Sequence, residues 1–140
     1  MKIILGLAAL AIFTSLVAKP INNLEGTKKL CTNAAYEFGN GNYKAAFNSL
    51  KSNWLLPEAE IDNMSYQTES QLKMFVPRYG KVIGSEFIKT ETIGSSMSQH
   101  IYIIKHEGTA LRFKCVFYKA KNEWTVNGVF WDDDIKSLFK

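Results

Sequence analysis

The sequence predicts an α+β fold, in which N-terminal helices pack on one face of a curved, four-stranded antiparallel sheet. From Leu24 to Phe75, apolar residues recur at the spacing of an amphipathic helix. After Tyr79 and Gly80 the spacing changes to period two, and β-branched and aromatic residues become frequent. A chain with its helices first and its strands afterwards is typical of this class. We also expect a short helical turn at the C-terminus.

The first eighteen residues have the pattern of a secretory signal peptide. Lys2 gives a positive start, the run from Ile3 to Ala18 carries no charge, and Lys19 ends it. A helix of that length spans only about 24 Å, less than the roughly 30 Å hydrocarbon core of a bilayer. Lys19 also stands where a lipoprotein has its acylated cysteine. We therefore predict cleavage after Ala18 and a periplasmic or extracellular protein, neither a lipoprotein nor inserted in the membrane.

Residues 19–140 are long enough for one domain with a modest core, and we predict a single domain. Loss of Lys2 with the signal peptide lowers the formal net charge from +4 to +3. The basic residues are scattered among acids and aromatics, as in "IIKHEGTALRFKCVFYKAKNEW". Nucleic-acid binders usually concentrate their positive charge on one face or helix, so nucleic acid is not expected as a partner.

Three helices are predicted in the first half of the domain. The apolar stripe of the first comprises Leu24, Cys31, Ala34, Ala35 and Phe38. The glycines of "FGNGNY" end this helix. The second helix is predicted from Tyr43 to about Trp54. The third begins at Pro57 and Glu58, with a proline in its first turn, and is predicted to end before Pro77.

Four strands follow, joined by "TIGSS", "EGT" and "KAKNE", which are short enough for antiparallel hairpins. The predicted strands are Lys81–Glu91, Met97–His106, Ala110–Lys119 and Trp124–Asp132. In the third strand one apolar face comprises Leu111, Phe113, Cys115 and Phe117. In the fourth, alternation places Trp124, Val126 and Phe130 on one face. Gly128 is predicted to be a bulge or a point of close approach.

The segments "GNGNYKAAF", "PRYGKVIGSEF" and "EWTVNGVF", with this order of elements, resemble nuclear transport factor 2-like (cystatin-like cone) domains. The resemblance covers most of residues 24–134 and is strongest to the small exported bacterial members, many of which have no assigned function. It implies a cone-shaped pocket between sheet and helices. It implies no reaction, because the superfamily includes isomerases, dehydratases, binding modules and inert scaffolds. A homodimer through the sheet face is a separate candidate assembly.

The two cysteines of the mature chain, Cys31 and Cys115, suggest a disulfide in an exported protein. Each lies on an apolar face, and the helix and strand that carry them pack together in a cone fold. A bond would close a loop of roughly 85 residues and stabilise the domain by on the order of 4 kcal/mol. The alternative is a pair of buried free thiols. Neither cysteine has another metal ligand at the spacing of a zinc site, so no metal is predicted.

His100 and Tyr102 are the polar candidates for a ligand site. If "EG" is a two-residue turn, His100 lies opposite Cys115. Tyr102 then lies opposite Phe113, and both side chains face the apolar interior. Such a pair can anchor a ligand or act as an acid and a base. The alternative is a structural histidine and tyrosine, each with one hydrogen-bond partner. His106 lies about 20 Å from His100 along the strand, too far to share a metal.

Three further residues are weaker candidates. Arg78, in "PRYG", could hold a carboxylate or phosphate at the mouth of the pocket, or tie a loop to helix carbonyls. Trp124 offers a stacking surface to a ring or sugar, as Trp54 and Trp131 do, although all three also suit core packing. Glu86 is the mid-strand acid and the candidate base if the domain is an isomerase.

The acidic triplet Asp132, Asp133 and Asp134 lies where the last strand pattern stops. Because "IKSLF" then follows a helical spacing, Asp133 or Asp134 is predicted to cap that turn. A calcium site needs oxygen ligands spaced through a loop, which three adjacent residues do not provide. A weak cation site or a patch for a basic partner is the alternative.

No catalytic motif is present in the sequence, and no catalytic residue or cofactor is predicted. We predict an exported binding module whose cone takes a small molecule or a peptide. One alternative is a protein-interaction or assembly partner in the cell envelope. The other is a pocket enzyme, isomerase- or hydrolase-like, that uses His100, Tyr102 and Glu86. A deep polar cone favours the enzyme, whereas an exposed aromatic face favours the protein partner.

Overall fold

Three α-helices precede four strands in residues 20–140, the part of the chain that the computed structural model describes. The helices are α1 (Leu24–Gly39), α2 (Tyr43–Asn48) and α3 (Glu58–Tyr79), and the strands are β1 (Val82–Ile93), β2 (Met97–His106), β3 (Ala110–Lys119) and β4 (Trp124–Asp132). The strands form one antiparallel sheet in the order β1-β2-β3-β4. The predicted α+β class is confirmed. The predicted signal peptide and its cleavage point lie outside the described residues.

The first helix has a capping asparagine at its start and a glycine close to the sheet at its end. The Asn23 side chain accepts a hydrogen bond from the Gly26 amide at 2.8 Å, which satisfies a free N–H of the first turn. At the other end, a Cβ on Gly39 would lie 2.7 Å from the Gly84 carbonyl carbon of β1. Glycine therefore lets α1 approach the sheet backbone closely.

The predicted bounds of the other helices need correction. The second helix does not reach Trp54, because α2 ends at Asn48 and a 3-10 turn follows at Lys51–Asn53. Trp54 is extended and forms a parallel bridge with Val126 of β4, so pairing with the sheet overrides the helical spacing. Pro77 lies inside the last turn of α3 rather than beyond it.

The register of the central hairpin is as predicted. The His106 amide donates to the Thr109 carbonyl at 2.8 Å, which leaves "EG" as the two-residue turn. His100 pairs with Cys115, and Tyr102 pairs with Phe113. Three of the four strands have their predicted bounds, whereas β1 runs from Val82 to Ile93 rather than from Lys81 to Glu91.

A bulge in β4 reverses one predicted orientation. Val116 pairs with Gly128 and Phe117 pairs with Val126, so Asn127 is the additional residue. Beyond the bulge, Trp131 packs against the core. Phe130 is instead 51 % exposed, and a Cβ on Gly128 would lie 2.7 Å from its ring. The prediction of a bulge or close approach at Gly128 is confirmed, but the placement of Phe130 with Trp124 on one face is wrong.

The disulfide predicted between Cys31 and Cys115 is confirmed, with the two Cα atoms 5.9 Å apart. It joins α1 to β3 at the centre of the core, and α1 packs against β1, β2 and β3. Such a bond is consistent with an oxidising location outside the cytosol. No helix within residues 20–140 is long and apolar enough to cross a membrane.

Two residues of the acidic triplet have structural contacts at the end of the sheet. The Asp134 carboxylate accepts a hydrogen bond from the Ser137 amide at 3.2 Å, the kind of bond predicted for it, but Ile135 rather than an aspartate directly precedes the turn. The turn that follows is a 3-10 helix, Lys136–Phe139. Asp132 forms a two-point salt bridge with Arg112 of β3, at 2.9 and 2.7 Å.

Candidate functional site

His100 lies beneath α1, with both ring nitrogens bonded and no exposed surface. Its Nε2 lies 2.8 Å from the Thr27 hydroxyl, and its Nδ1 lies 2.7 Å from the Thr90 hydroxyl. The Thr27 hydroxyl donates to the Leu24 carbonyl at 2.6 Å. Thr27 must therefore accept from Nε2–H, and Thr90 donates to Nδ1. This is the neutral imidazole with a complete set of hydrogen bonds.

Burial, and to a smaller extent the positive charge of Lys28, lowers the pKa of His100 to about 4. An imidazole with this pKa is neutral at pH 7, and both of its ring nitrogens are already engaged by threonine hydroxyls. The surroundings of His100 therefore suit a structural role better than acid–base chemistry.

Tyr102 is similarly enclosed, with 2 % of its surface exposed. Its hydroxyl is hydrogen-bonded to the Thr32 hydroxyl of α1. Burial raises the pKa of Tyr102, while the hydrogen bond with Thr32 opposes that shift. Tyr102 thus links β2 to α1 by a side-chain hydrogen bond, as His100 does. The two residues are two positions apart on β2 and face the same side of the sheet.

The space between α1 and the sheet, where the resemblance implies a pocket, is filled by side chains. The rings of Phe38 and Phe113 lie 4.9 Å apart, and the rings of His100 and Phe117 lie 5.7 Å apart. The Cys31–Cys115 bond occupies the centre of this layer. His100 and Tyr102 are therefore brought together, but as neighbours inside a packed layer.

The remaining candidates are dispersed. Arg78 is exposed at the end of α3, with its guanidinium 5.1 Å from the Tyr79 ring. Trp124 is buried at the start of β4, and its amide donates to the Ile21 carbonyl. Glu86 is exposed, with its carboxylate 3.9 Å from the Lys105 ammonium. The structure does not unite any of these three with His100 and Tyr102.

A cleft of about 460 Å³ opens instead between α3 and β4. Helix α3 contributes Met64, Gln67, Thr68 and Gln71, β4 contributes the four consecutive residues from Val129 to Asp132, and α2 contributes Phe47. Apolar and aromatic surfaces therefore meet neutral amide and hydroxyl groups. This combination is typical of sites for small ligands or peptide segments.

The floor of the cleft is held in place by a partly buried hydrogen bond. The Trp131 indole Nε1–H donates to the Thr68 hydroxyl at 3.0 Å, which links β4 to α3. Thr68 is buried, and the Trp131 ring packs near Phe38 at 6.5 Å between centroids. The indole thus fixes the separation of helix and strand while part of its surface remains accessible.

The residues of the described chain that line the cleft carry no unpaired charge. Among the described residues that line it, Asp132 alone carries a charge, and that charge is paired with Arg112. The Arg112 hydrogen bond holds the pKa of Asp132 below its usual value. A bound molecule therefore meets amides and rings rather than a free ion. Within residues 20–140, no three metal-ligating side chains are grouped.

Most of this cleft was not predicted from the sequence. The sequence predicts Trp131 as a candidate stacking surface, but it carries no prediction for Gln67, Thr68 or Gln71. Gln67 and Gln71 are four residues apart, so a helix presents both on one side. Two exposed amides at that spacing are a weak signal alone, since many helix surfaces carry such residues.

Comparison of the chain with protein-family models, with curated proteins and with solved structures finds no significant match. The resemblance to nuclear transport factor 2-like domains therefore stays a prediction. The function of the protein has to be inferred from the geometry of the described residues.

Proposed function

We propose that this protein is an exported binding module that holds a small molecule or a peptide in the cleft between α3 and β4. The observation that carries the proposal is the cleft itself. Its volume of about 460 Å³ lies within the range of roughly 300–1,000 Å³ typical of ligand sites. The disulfide and the signal-peptide pattern support export. A pocket enzyme has less support, because His100 and Tyr102 are enclosed while Glu86 lies at the surface.

Affinity in such a cleft would come from two sources. The rings of Phe130 and Trp131, which are half-exposed and partly exposed, offer apolar surface, whose burial contributes roughly 25 cal/mol per Å². The amides of Gln67 and Gln71 are exposed and each supplies donors and an acceptor, which give orientation and selectivity. The hydrogen bond from Trp131 to Thr68 keeps the cleft preformed, so little ordering cost is expected on binding.

The proposal is tested by nuclear magnetic resonance with the indole N–H of Trp131 as reporter. The oxidised, labelled protein is titrated with capped tetrapeptides and with mono- and disaccharides. We expect at least one class of probe to shift the Trp131 indole signal, identified by its loss in Trp131→Phe, and to leave the Trp124 signal unchanged. Gln67→Ala/Gln71→Ala should weaken that probe by about tenfold, whereas Lys73→Ala, exposed on the opposite side of α3, should not. If no probe shifts the Trp131 indole, the proposal fails.

A homodimer through the sheet face is a second candidate. On the face opposite the helices, Ile93 pairs with Met97 and Met97 pairs with Tyr118, so three apolar side chains form a row. Ile93 and Tyr118 are exposed. Sedimentation at increasing concentration should show dimers that Ile93→Glu abolishes and Tyr66→Glu, on α3, does not. A wild-type protein that stays monomeric at high concentration eliminates this candidate.

A further inference from the structure

We propose that the ligand of the α3–β4 cleft is an extended peptide segment of a partner protein, which adds to β4 as a fifth strand. This inference rests on the proposed function, because it names the occupant of the same cleft. Four features of the described residues support it: the path of the cleft, the backbone groups along it, an existing example of such pairing, and the neutral walls.

The cleft follows the edge of the sheet rather than one of its faces. Consecutive side chains of a strand point to opposite faces. Nevertheless, all four residues from Val129 to Asp132 line the cleft. Trp131 points toward the helices, whereas Phe130 is on the other face. A cavity that touches both sets of side chains must lie alongside the strand, where a neighbouring strand would be.

The direction of the backbone groups follows from the hydrogen bonds of β3. The Lys119 amide donates to the Ser96 carbonyl, on the β2 side. Residues of an antiparallel strand alternate in the direction of their backbone groups. Lys114 and Arg112 lie five and seven residues before Lys119. Because these separations are odd, their amides and carbonyls point toward β4.

The β4 partners of those residues complete the ladder. Phe130 pairs with Lys114, and Asp132 pairs with Arg112. The intervening residues, Val129 and Trp131, consequently direct their amides and carbonyls away from β3. In the described part of the chain these groups have no hydrogen-bond partner. They form the template that an added strand requires.

The protein already pairs its own chain with the first part of this edge. Ile21 bridges Trp124 in the antiparallel sense, and Trp54 bridges Val126 in the parallel sense. Each contact is a single bridge, and both precede the bulge at Asn127. The edge therefore accepts extended backbone from outside the sheet, and its second half has no such cover within residues 20–140.

The chemistry of the walls defines the peptide. Since Asp132 is already paired with Arg112, a charged ligand side chain gains no free counter-ion in the cleft. Alternate side chains of an added strand would point inward, toward Phe47 and Met64, so apolar residues are expected at those positions. The occupant is thus an uncharged segment with apolar residues at every second position.

The test uses random octapeptides displayed on phage, selected on the oxidised protein and then synthesised with capped ends. Amide exchange at Val129 and Trp131 should slow by about tenfold on binding. Gly128 and Phe130, which already pair with β3, should change much less. N-methylation of the peptide at alternate positions should weaken binding by about tenfold, and methylation at the intervening positions should have little effect.

A protein variant tests the same contact from the other side. Val129→Pro removes one outward N–H, and proline is tolerated where the amide of an edge strand faces outward. It should bind the selected peptide about tenfold more weakly. Val129→Ala, which removes side-chain carbons but keeps the N–H, should bind it much better than Val129→Pro does. If Val129→Pro fails to fold, the methylated peptides decide with the wild-type protein.

Two outcomes separate this inference from the proposed function. Peptides or saccharides that shift the Trp131 indole without slowing exchange at Val129 and Trp131 overturn strand addition, and the cleft remains a binding site. If no probe shifts the indole, the cleft is not a binding site and both ideas fail.

Discussion

Polar side chains are buried on one side of the helical layer and exposed on the other. Beneath α1, His100 and Tyr102 are almost fully buried, and each has hydrogen-bond partners on α1 or β1. Beside α3, Gln67 and Gln71 are exposed around a cleft. We call the closely packed region between α1 and the sheet the sealed side, and the region around the α3–β4 cleft the open side. A polar residue facing the helices is therefore evidence of function only where its hydrogen-bonding groups remain free.

The difference follows from how closely each helix approaches the sheet. Helix α1 presents Ala34, Ala35 and Gly39, which are small and fully buried or nearly so, and it is joined to β3 by the disulfide. Helix α3 instead packs against α2 and reaches β4 through the bond between Thr68 and Trp131. Small residues and a covalent bond close the gap between α1 and the sheet. Among the described residues, the gap between α3 and β4 is bridged only by the Trp131 indole and therefore stays open.

The largest expected effect concerns the covalent link of the sealed side. Cys31→Ala/Cys115→Ala should lower the free energy of unfolding by about 4 kcal/mol, because the unfolded chain gains the entropy of a long loop. Denaturant unfolding of the oxidised protein and the variant measures the loss. A reducing agent should reproduce it in the wild type and have no effect on the variant. A loss below about 1 kcal/mol would contradict this account.

Two phenylalanines of neighbouring strands give the next largest contrast. Phe113→Ala should cost about 3–5 kcal/mol of unfolding free energy, since its ring is buried against Phe38. Phe130→Ala removes the same atoms from the exposed face of the sheet and should cost roughly 1 kcal/mol or less. Thermal melts of both variants check the pair. Equal losses would mean that the outer face is also covered in solution.

The stability of the sealed side should depend on pH through His100. Its pKa is lowered to about 4 in the folded protein, from the ordinary value of 6.5 for a histidine in water. The contribution of neutral His100 is therefore complete above pH 6.5 and is lost as the pH falls toward 4. Since one pKa unit corresponds to about 1.4 kcal/mol, the loss approaches roughly 3 kcal/mol. Unfolding measured across this window should show the slope, and His100→Gln should remove it. Direct titration of the imidazole signals gives an independent check, and a pKa near 6.5 would refute the argument.

The smallest expected effect is that of one hydroxyl. Tyr102→Phe removes the hydrogen bond to Thr32 and should cost about 0.5–1.5 kcal/mol of stability while the ring continues to pack. Thr32→Val tests the other partner, and the double variant should cost less than the sum of the two. Ligands that shift the Trp131 indole should bind the Tyr102→Phe protein as well as the wild type. Lost binding with unchanged stability would place Tyr102 in the site after all.

The sequence was sufficient for features that depend on local periodicity. The hairpin register followed from the two residues "EG", and the pairing of Cys31 with Cys115 followed from two apolar faces. It was insufficient where tertiary contacts compete with that periodicity. Trp54 left its predicted helix to pair with Val126, and one additional residue at Asn127 turned Phe130 outward. The cleft escaped prediction for the same reason, since it depends on the distance between α3 and β4.

The position of the disulfide also determines how the molecule responds to tension. Its loop runs from Cys31 to Cys115, so β4 and the segment before Cys31 lie outside it. Force applied between the ends of the chain would detach β4 from β3 pair by pair and then stop at Cys115. The extended segment from Cys115 to Lys140 measures about 85 Å, at roughly 3.4 Å per residue. The chain would thus extend by a limited length under tension, while the residues inside the disulfide loop stay folded.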